Sequence, residues 1–511
     1  MPAHFPALTS PLSARNGCVA GTADGVREGA ARGPRPSAWL ALASGVAGLV
    51  LAGGLAAAQS ANVSSGPDAI ATSPHGDPLT TANATGLLRT FVPGGAIDTT
   101  NPFFQSLGSN GRSCNTCHRL DQAWSVTPER IRERFNATQG TDPIFRTNDG
   151  SNAPDADVHD VAARRRAYSM LLNRGVVRVG IGIPANAEFS LTAVDDPYGH
   201  ASATDLSLFR RPLPATNLAF LTTIMWDGRE TAAAFLPPMD AGTNNADLVA
   251  SLTHQAIDAT LGHAQGAAPP SAAQLAQIVS FEMGLATAQV RDNRAGDLNA
   301  RDAMGGPRIL ASQRFYVGIN DTLGDDPTGA TFEASAMTLF DGWSQNDDDN
   351  DNGNGRAAVL RGQTLFNAKP IAISGVGGLN DALGVGVIQG TCTTCHNSPN
   401  VGNHSVTLPL NIGLTDATRR TPDMPLYTLT NNVTGDTVQT TDPGKALLSG
   451  KWKDIGKFKG PILRGLAARA PYFHNGMAAS LDEAVDFYNT RFNIGLSTRE
   501  KRDMVAFLRV L

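Results

Sequence analysis

The chain has 511 residues, which is too long for one small domain and suits two or three. Only 17% of the residues are charged and the net charge is −5, so no basic surface is available for nucleic acid. Aromatic residues are scarce, at 6%, and no alternating apolar pattern is sustained over several segments. We therefore expect an all-α protein with long irregular loops and insertions.

Residues 1–58 have the pattern of a secretory signal peptide. Cations such as Arg15 and Arg35 precede an apolar run from Trp39 to Ala58, which ends in three small residues. An uncleaved membrane anchor is the alternative, because about 20 apolar residues can span a bilayer. The run is rich in Gly and Ala rather than Leu, which favours cleavage. We expect a periplasmic mature chain of 453 residues (511 minus 58) with no membrane span after cleavage.

Two C-x-x-C-H pentapeptides are the strongest motifs in the chain. They consist of Cys114, Cys117 and His118, and of Cys392, Cys395 and His396. This spacing attaches c-type haem: two thiols add to the vinyl groups and the adjacent histidine binds iron. A zinc ribbon would need a second C-x-x-C close by, and a thioredoxin-type pair would not explain either histidine. We predict two covalently attached haem c groups. Because Cys18 lies in the removed segment, no cysteine remains for a disulfide.

Local signals predict several helices in chain order. A short amphipathic helix is expected over 127–135, with Pro128 in its first turn, and a loop over 142–157. A second helix is expected over 274–290. Capping boxes at Ser480 and Ser497 predict the starts of the last two helices.

The four residues Trp226-Asp227-Gly228-Arg229 resemble the W-D-G-R signature of the di-haem bacterial cytochrome c peroxidase and MauG family. The Phe281-Glu282 pair and the segment 457–489 resemble the same family, in the same order around the two haem motifs. The resemblance implies two cytochrome c-like haem domains, 59–340 with insertions and 341–511. It also implies that Trp226 lies between the haems and relays electrons.

In that family a glutamate over the open face of the N-terminal haem moves protons during O–O cleavage. The corresponding stretch, 253–266, has no glutamate, and His254, His263 and Gln265 are the available substitutes. His263 could protonate a bound peroxide as a general acid, or it could bind iron and close the site. An ordinary surface or core histidine is the third alternative.

The resemblance also bears on the second haem ligand and on calcium. Tyr488 stands where the peroxidases have a methionine ligand and MauG has a tyrosine, with Met477 and His474 as nearby alternatives. The family often binds one calcium ion between its domains. However, the asparagine expected fifteen residues before the relay tryptophan is Arg211 in this chain. The acidic stretch 347–354 begins like an EF-hand loop but lacks the closing glutamate.

The function expected from these features is that of a periplasmic di-haem peroxidase. Hydrogen peroxide would react at the N-terminal haem, with electrons relayed from the C-terminal haem. The donor would be a small cytochrome or cupredoxin, or a protein substrate would be oxidised. Trp226 follows His118 by 108 positions, and an interval this long resembles that of the di-haem rubber oxygenases, so a dioxygenase is one alternative. An electron-transfer cytochrome is the other.

Overall fold

The computed structural model describes residues 79–231, 244–344 and 353–511. All of them belong to one compact unit of the chain, 64–511. The predicted signal peptide and most of the acidic stretch 347–354 lie outside the described residues. Among the described residues, no helix is both long and apolar enough to cross a membrane.

The described residues form ten α-helices. In chain order they are α1 (Pro128–Thr138), α2 (Val161–Ala167), α3 (Ser169–Arg174), α4 (Asn244–Gly262), α5 (Ala272–Gly284), α6 (Pro307–Ser312), α7 (Gly353–Ala368), α8 (Ala446–Ser449), α9 (Leu481–Arg491) and α10 (Thr498–Leu508). The predicted capping signals operate: the hydroxyls of Ser480 and Ser497 accept hydrogen bonds from backbone N–H groups in the first turns of α9 and α10.

Eleven strands lie between these helices. They are β1 (Thr80–Asn83), β2 (Gly86–Phe91), β3 (Val177–Ile181), β4 (Phe189–Asp195), β5 (Leu206–Arg210), β6 (Ala286–Asp292), β7 (Gly296–Asp297), β8 (Ile371–Ser374), β9 (Val387–Gly390), β10 (Leu426–Asn431) and β11 (Thr437–Thr440). Four antiparallel sheets result, with strand orders β1-β2-β6-β7, β11-β10-β4, β3-β5 and β8-β9.

The all-α expectation is therefore wrong, since the structure is 30% helical and 16% strand. The strands are short, and β5 is buried at every position, so its sequence shows no polar alternation. The helix predicted over 274–290 ends at Gly284, and the chain continues as β6. Strand β6 pairs with β2, about 200 residues earlier, and sequence periodicity cannot reveal such a distant partner.

The second haem motif is supported by the packing of α7 against α10. A Cβ atom on Gly362 would lie 2.0 Å from the carbonyl oxygen of Asp503, so only glycine permits this close approach. Phe366, Met504 and Phe507 fill the contact and are almost fully buried. Removing an aromatic ring from such a core costs about 3–5 kcal/mol.

One sheet crosses the domain boundary predicted at 340. Strand β4, from the predicted N-terminal domain, pairs along its length with β10, from the predicted C-terminal domain. The aromatic rings of Phe189 and Tyr427 are buried in the core beneath this sheet. The boundary itself remains a prediction.

Candidate functional site: two adjoining haem cavities

The first haem motif is held in a tight 3-10 turn, Cys114–Thr116. Ser113 and Thr116 cap this turn reciprocally through their side chains and backbone N–H groups. The Nδ1 atom of His118 lies 3.0 Å from the carbonyl oxygen of Trp124, which can only accept, so Nδ1 carries the proton. Burial lowers the pKa of His118. The ring is therefore neutral and its Nε2 is free to bind iron.

The second motif repeats this construction. Cys392–Thr394 forms a 3-10 turn capped by Thr391, and Nδ1 of His396 donates to the carbonyl oxygen of Gly402 at 2.6 Å. Burial also lowers the pKa of His396. The four cysteines of the two motifs form no disulfide among the described residues. Each motif thus offers two thiols and one neutral imidazole, as haem c attachment requires.

Each motif faces its own cavity, of about 200 Å³ at the first and about 210 Å³ at the second. The two cavities have a common wall, so the two haem sites adjoin. Seven residues line both cavities: Arg211, Pro212, Pro214, Trp226, Lys459, Pro461 and Arg469.

Trp226 is fixed firmly in this common wall. Its indole Nε1 donates to the carbonyl oxygen of Arg211 at 2.8 Å, and its own carbonyl oxygen accepts from the backbone N–H of Lys459. Next to it, Asp227 pairs with Arg210 at 2.5 Å, and the same guanidinium makes two bonds to Asp442 at 2.7 and 2.9 Å. All three charged side chains are buried. The W-D-G-R loop is therefore held by a charge-assisted network.

The walls carry buried cations that have no carboxylate partner within the described parts of the chain. Lys459 is 7% exposed, and its Nζ donates to the carbonyl oxygen of Thr223. Burial, with the charge of Arg469, lowers the pKa of Lys459 to about 7. In Arg464 the Nε and Nη2 atoms are buried without a hydrogen-bond partner. Because buried charges are normally paired, these cations fit a group that brings its own carboxylates, as the haem propionates do.

His263 lies on the wall of the first cavity, at the end of α4. Its Nδ1 is 2.5 Å from Oδ2 of Asp149, whose other oxygen is 2.5 Å from Nη1 of Arg112. Asp149 is buried, whereas 45% of the His263 side chain is exposed. Burial disfavours the charged carboxylate, yet Arg112 and His263 hold the pKa of Asp149 below its ordinary value. A carboxylate–imidazole pair therefore stands at the mouth of this cavity.

Glu282 is a second ionisable group of this cavity, and the sequence assigned it no role in the site. It lies on α5, lines the first cavity and has one carboxyl oxygen, Oε2, buried without a hydrogen-bond partner. Burial raises its pKa to about 8. The sequence identified Phe281-Glu282 only as a family resemblance, because a single glutamate on an amphipathic helix carries no sign that it faces inward.

The other two candidates for the first cavity lie away from it. Gln265 is not a wall residue, and its side-chain oxygen accepts from Asn110 at 3.2 Å. His254 is exposed and its Nδ1 is 2.5 Å from Glu230. With Asp258, these two residues place three possible metal-binding atoms within 4.8 Å of one another, outside the haem cavity.

Two of the three predicted axial candidates line the second cavity. The Tyr488 ring lies 6.3 Å from that of His396, at 73°. Burial, with the neighbouring thiols, raises the Tyr488 pKa. His474 also lines this cavity, stacked on Phe458 at 4.1 Å, and burial lowers its pKa to about 4. Met477 does not line the cavity.

The two C-x-x-C-H motifs, each facing a buried cavity, are those of a c-type haem protein. No protein-family model matches the chain. Cytochrome-c peroxidase IdrP2 of Denitromonas iodatirespirans is 36% identical over 134 residues, which is 24% of this chain and 36% of that protein. Cytochrome-c peroxidase IdrP1 of Pseudomonas sp. (strain SCT) is 31% identical over 140 residues, with the same two coverages. The chain thus spans about a third of the length of the curated relatives it matches.

These relatives confirm the predicted resemblance to the di-haem cytochrome c peroxidase family. The chain is a relative of haem peroxidase-type oxidoreductases. The crystal structure of a MauG-like protein associated with microbial copper homeostasis aligns with 80% of this chain and 87% of its own, at 17% identity and a TM-score of 0.33. That score is too low to establish a shared fold.

Proposed function

We propose that the chain is a di-haem oxidoreductase that reduces hydrogen peroxide at the N-terminal haem and draws its second electron from the C-terminal haem. The observation that carries the proposal is the position of Trp226, which lines both cavities and is hydrogen-bonded on two sides. An aromatic side chain in that wall provides a path for electrons between the two sites. The curated relatives, which are cytochrome-c peroxidases by name, support the same reaction class.

The haem bound through His118 would supply iron with a position open to peroxide. The overall reaction consumes one hydrogen peroxide, two electrons and two protons and yields two waters. The protein's own contribution is to move protons, because the O–O bond breaks only when the leaving oxygen is protonated. His263 is the residue we assign to this task, since it lines the cavity and also reaches solvent.

At the second haem we propose that His396 and Tyr488 would hold the iron. Tyr488 lines that cavity and lies close to His396, which supports this choice. An oxygen ligand of this type would lower the reduction potential of that haem. His474 is the alternative on the same wall, although it is stacked on Phe458 and makes a 6.2 Å contact with Trp226.

For calcium, we propose that the cluster of carbonyl oxygens around Arg211 holds no ion. The guanidinium of Arg211 donates to the carbonyl oxygens of Val126, Arg174, Gly175 and Arg469 at 2.6 to 3.3 Å. Calcium binds oxygen ligands, carbonyl oxygens among them, and these four already accept hydrogen bonds from the Arg211 guanidinium.

We also propose a periplasmic location, with a small cytochrome or cupredoxin as electron donor or a protein as the oxidised substrate. The support is the signal-peptide pattern of residues 1–58 together with the haem motifs. Periplasmic fractionation and N-terminal sequencing of the purified protein test the location. A chain that starts before Gln59 would contradict cleavage after Ala58.

Low-temperature EPR of the oxidised and half-reduced protein, followed by mixing with peroxide or dioxygen, tests the function. We expect a high-spin ferric signal from the N-terminal haem in at least one state, and rapid oxidation by peroxide. Low-spin signals from both haems in both states would contradict the enzyme and leave an electron carrier. Reaction with dioxygen but not peroxide would support the dioxygenase alternative.

A further inference from the structure

We propose that Asp149 is a positioning residue that fixes the protonation pattern of His263, so that His263 Nε2 exchanges a proton with the ligand in the N-terminal haem cavity. This inference rests on the proposed function, because it names the group that serves the peroxide. The glutamate that performs this task in the resembled family is absent from 253–266. Asp149 lies more than 100 residues away in the chain, in the predicted loop 142–157.

The first step is the hydrogen bond between the two side chains. Oδ2 of Asp149 lies 2.5 Å from Nδ1 of His263, and Oδ1 faces Arg112. An ionised carboxylate can only accept, so the proton of the neutral imidazole lies on Nδ1 and Nε2 keeps its lone pair. The carboxylate also stabilises the imidazolium that forms when Nε2 takes up a proton.

The backbone at His263 is held rigidly by hydrogen bonds and close packing. The carbonyl oxygen of His263 accepts from Asn110 at 2.8 Å and from Arg112 at 3.2 Å. The following residue, Ala264, passes so close to Gly108 that a Cβ there would lie 1.9 Å from the Ala264 carbonyl oxygen. The His263 backbone is therefore tied to the segment that precedes the first haem motif, which keeps the imidazole at the cavity wall.

The third step concerns access to protons. The His263 side chain is 45% exposed, so its ring can exchange protons with solvent as well as with the cavity. The Asp149 side chain is only 7% exposed and is shielded from solvent. Arg112 is buried and pairs with Asp149, so the carboxylate is available as a fixed acceptor. The other ionisable side chains on this wall include His118, Arg229, Glu282 and Arg464.

The resulting proton movements balance. Nε2 takes the proton from one oxygen of hydrogen peroxide and delivers it to the other oxygen, which leaves as water. Two electrons come from the protein, and two protons from solvent convert the remaining oxygen to the second water. Positioned groups of this kind accelerate proton transfer by about 10²- to 10⁴-fold.

The test uses Asp149→Asn in the haem-loaded protein, with hydrogen cyanide as a probe that must also lose a proton on binding. We expect the association rate at neutral pH to fall by about 10- to 100-fold. Haem content should not change. An unchanged rate would overturn the inference.

Asp142→Asn is the matched control. Asp142 is a buried carboxylate in the same loop, paired with Arg134 at 2.6 and 3.0 Å, and among the described residues it has no hydrogen bond or ion pair with His263. It should reproduce any loss of stability without slowing cyanide binding. If the control slows cyanide binding equally, the effect comes from loop disruption and the inference fails.

A second variant protects the test against misfolding. His263→Gln should slow cyanide binding by itself, and adding Asp149→Asn should then have no further effect, because the two residues act as one unit. Additive effects would overturn the inference. If cyanide binding depends on Asp149 while the native protein ignores peroxide, the proposed peroxidase fails and the positioning role stands.

Discussion

Replacing Glu282 by glutamine should stabilise the protein at alkaline pH and leave it unchanged in acid. The carboxyl group is buried in the wall of the first cavity, with Oε2 unbonded, and burial raises its pKa from the ordinary 4.5 to about 8. Folding therefore favours the protonated form. The native state binds more protons than the unfolded state between these values, so stability is lost as the pH rises from about 4.5 towards 8.

The size of the stability change follows from how far burial raises the pKa of Glu282. Each tenfold change in an equilibrium is worth about 1.4 kcal/mol, so a pKa near 8 corresponds to at most about 5 kcal/mol. Glutamine imitates the neutral acid and does not ionise. The free energy of unfolding of the variant should therefore exceed that of the native protein by near zero at pH 4.5 and by a few kcal/mol above pH 8.

Urea denaturation of the haem-loaded protein at pH 5, 7 and 9 measures this difference. Glu129→Gln, at an exposed position on α1, is the control, and it should change stability by only about 0.5 kcal/mol at any pH. A Glu282→Gln effect of the same size at pH 5 and pH 9 would refute the reasoning. The reduction potential of the first haem should also depend less on pH in the variant, because a nearby ionisation is removed.

Four further predictions follow from the structure. Trp226→Phe should slow electron exchange between the haems in freeze-quench experiments without loss of either haem, and unchanged exchange would reduce Trp226 to packing. Tyr488→Phe should alter the spectrum and potential of the C-terminal haem alone; no change would leave His474, the other candidate that lines this cavity, as the ligand. Asp442→Asn should cost about 3–5 kcal/mol in urea denaturation, because Arg210 keeps a buried charge with one partner fewer; a loss below about 1 kcal/mol would contradict this. Calcium chelation should leave the thermal midpoint unchanged, and a lower midpoint would contradict the role assigned to Arg211.

The local elements were the most predictable part of the fold. The start of α1 near Pro128 and the caps at Ser480 and Ser497 depend on residues a few positions apart, so sequence patterns report them directly. The sheets were missed. Strand β6 pairs with β2, about 200 residues earlier, and β5 is buried at every position, its polar Ser207 and Arg210 included, so neither strand shows a simple buried and exposed alternation.

In the candidate site, too, some residues could be identified from sequence and others could not. The two C-x-x-C-H motifs and Trp226 were identified from sequence because their chemistry or signature occupies four or five consecutive residues. Asp149 could not be identified from sequence, because its partner His263 is 114 residues away and the loop that carries Asp149 has no regular pattern. For Glu282 the residue type was visible but its environment was not, and the environment raises its pKa.

The sequence by itself predicted which haem type the protein attaches, through which residues, and in what order along the chain. It could do so because thioether formation and iron binding need groups held close together by the covalent chain. Only the tertiary structure decided that Trp226 stands in a wall common to two cavities and that Asp149 meets His263. The position of Trp226 and the contact between Asp149 and His263 depend on burial and on residues that are distant in the sequence. Both are fixed only when separate segments of the chain pack together.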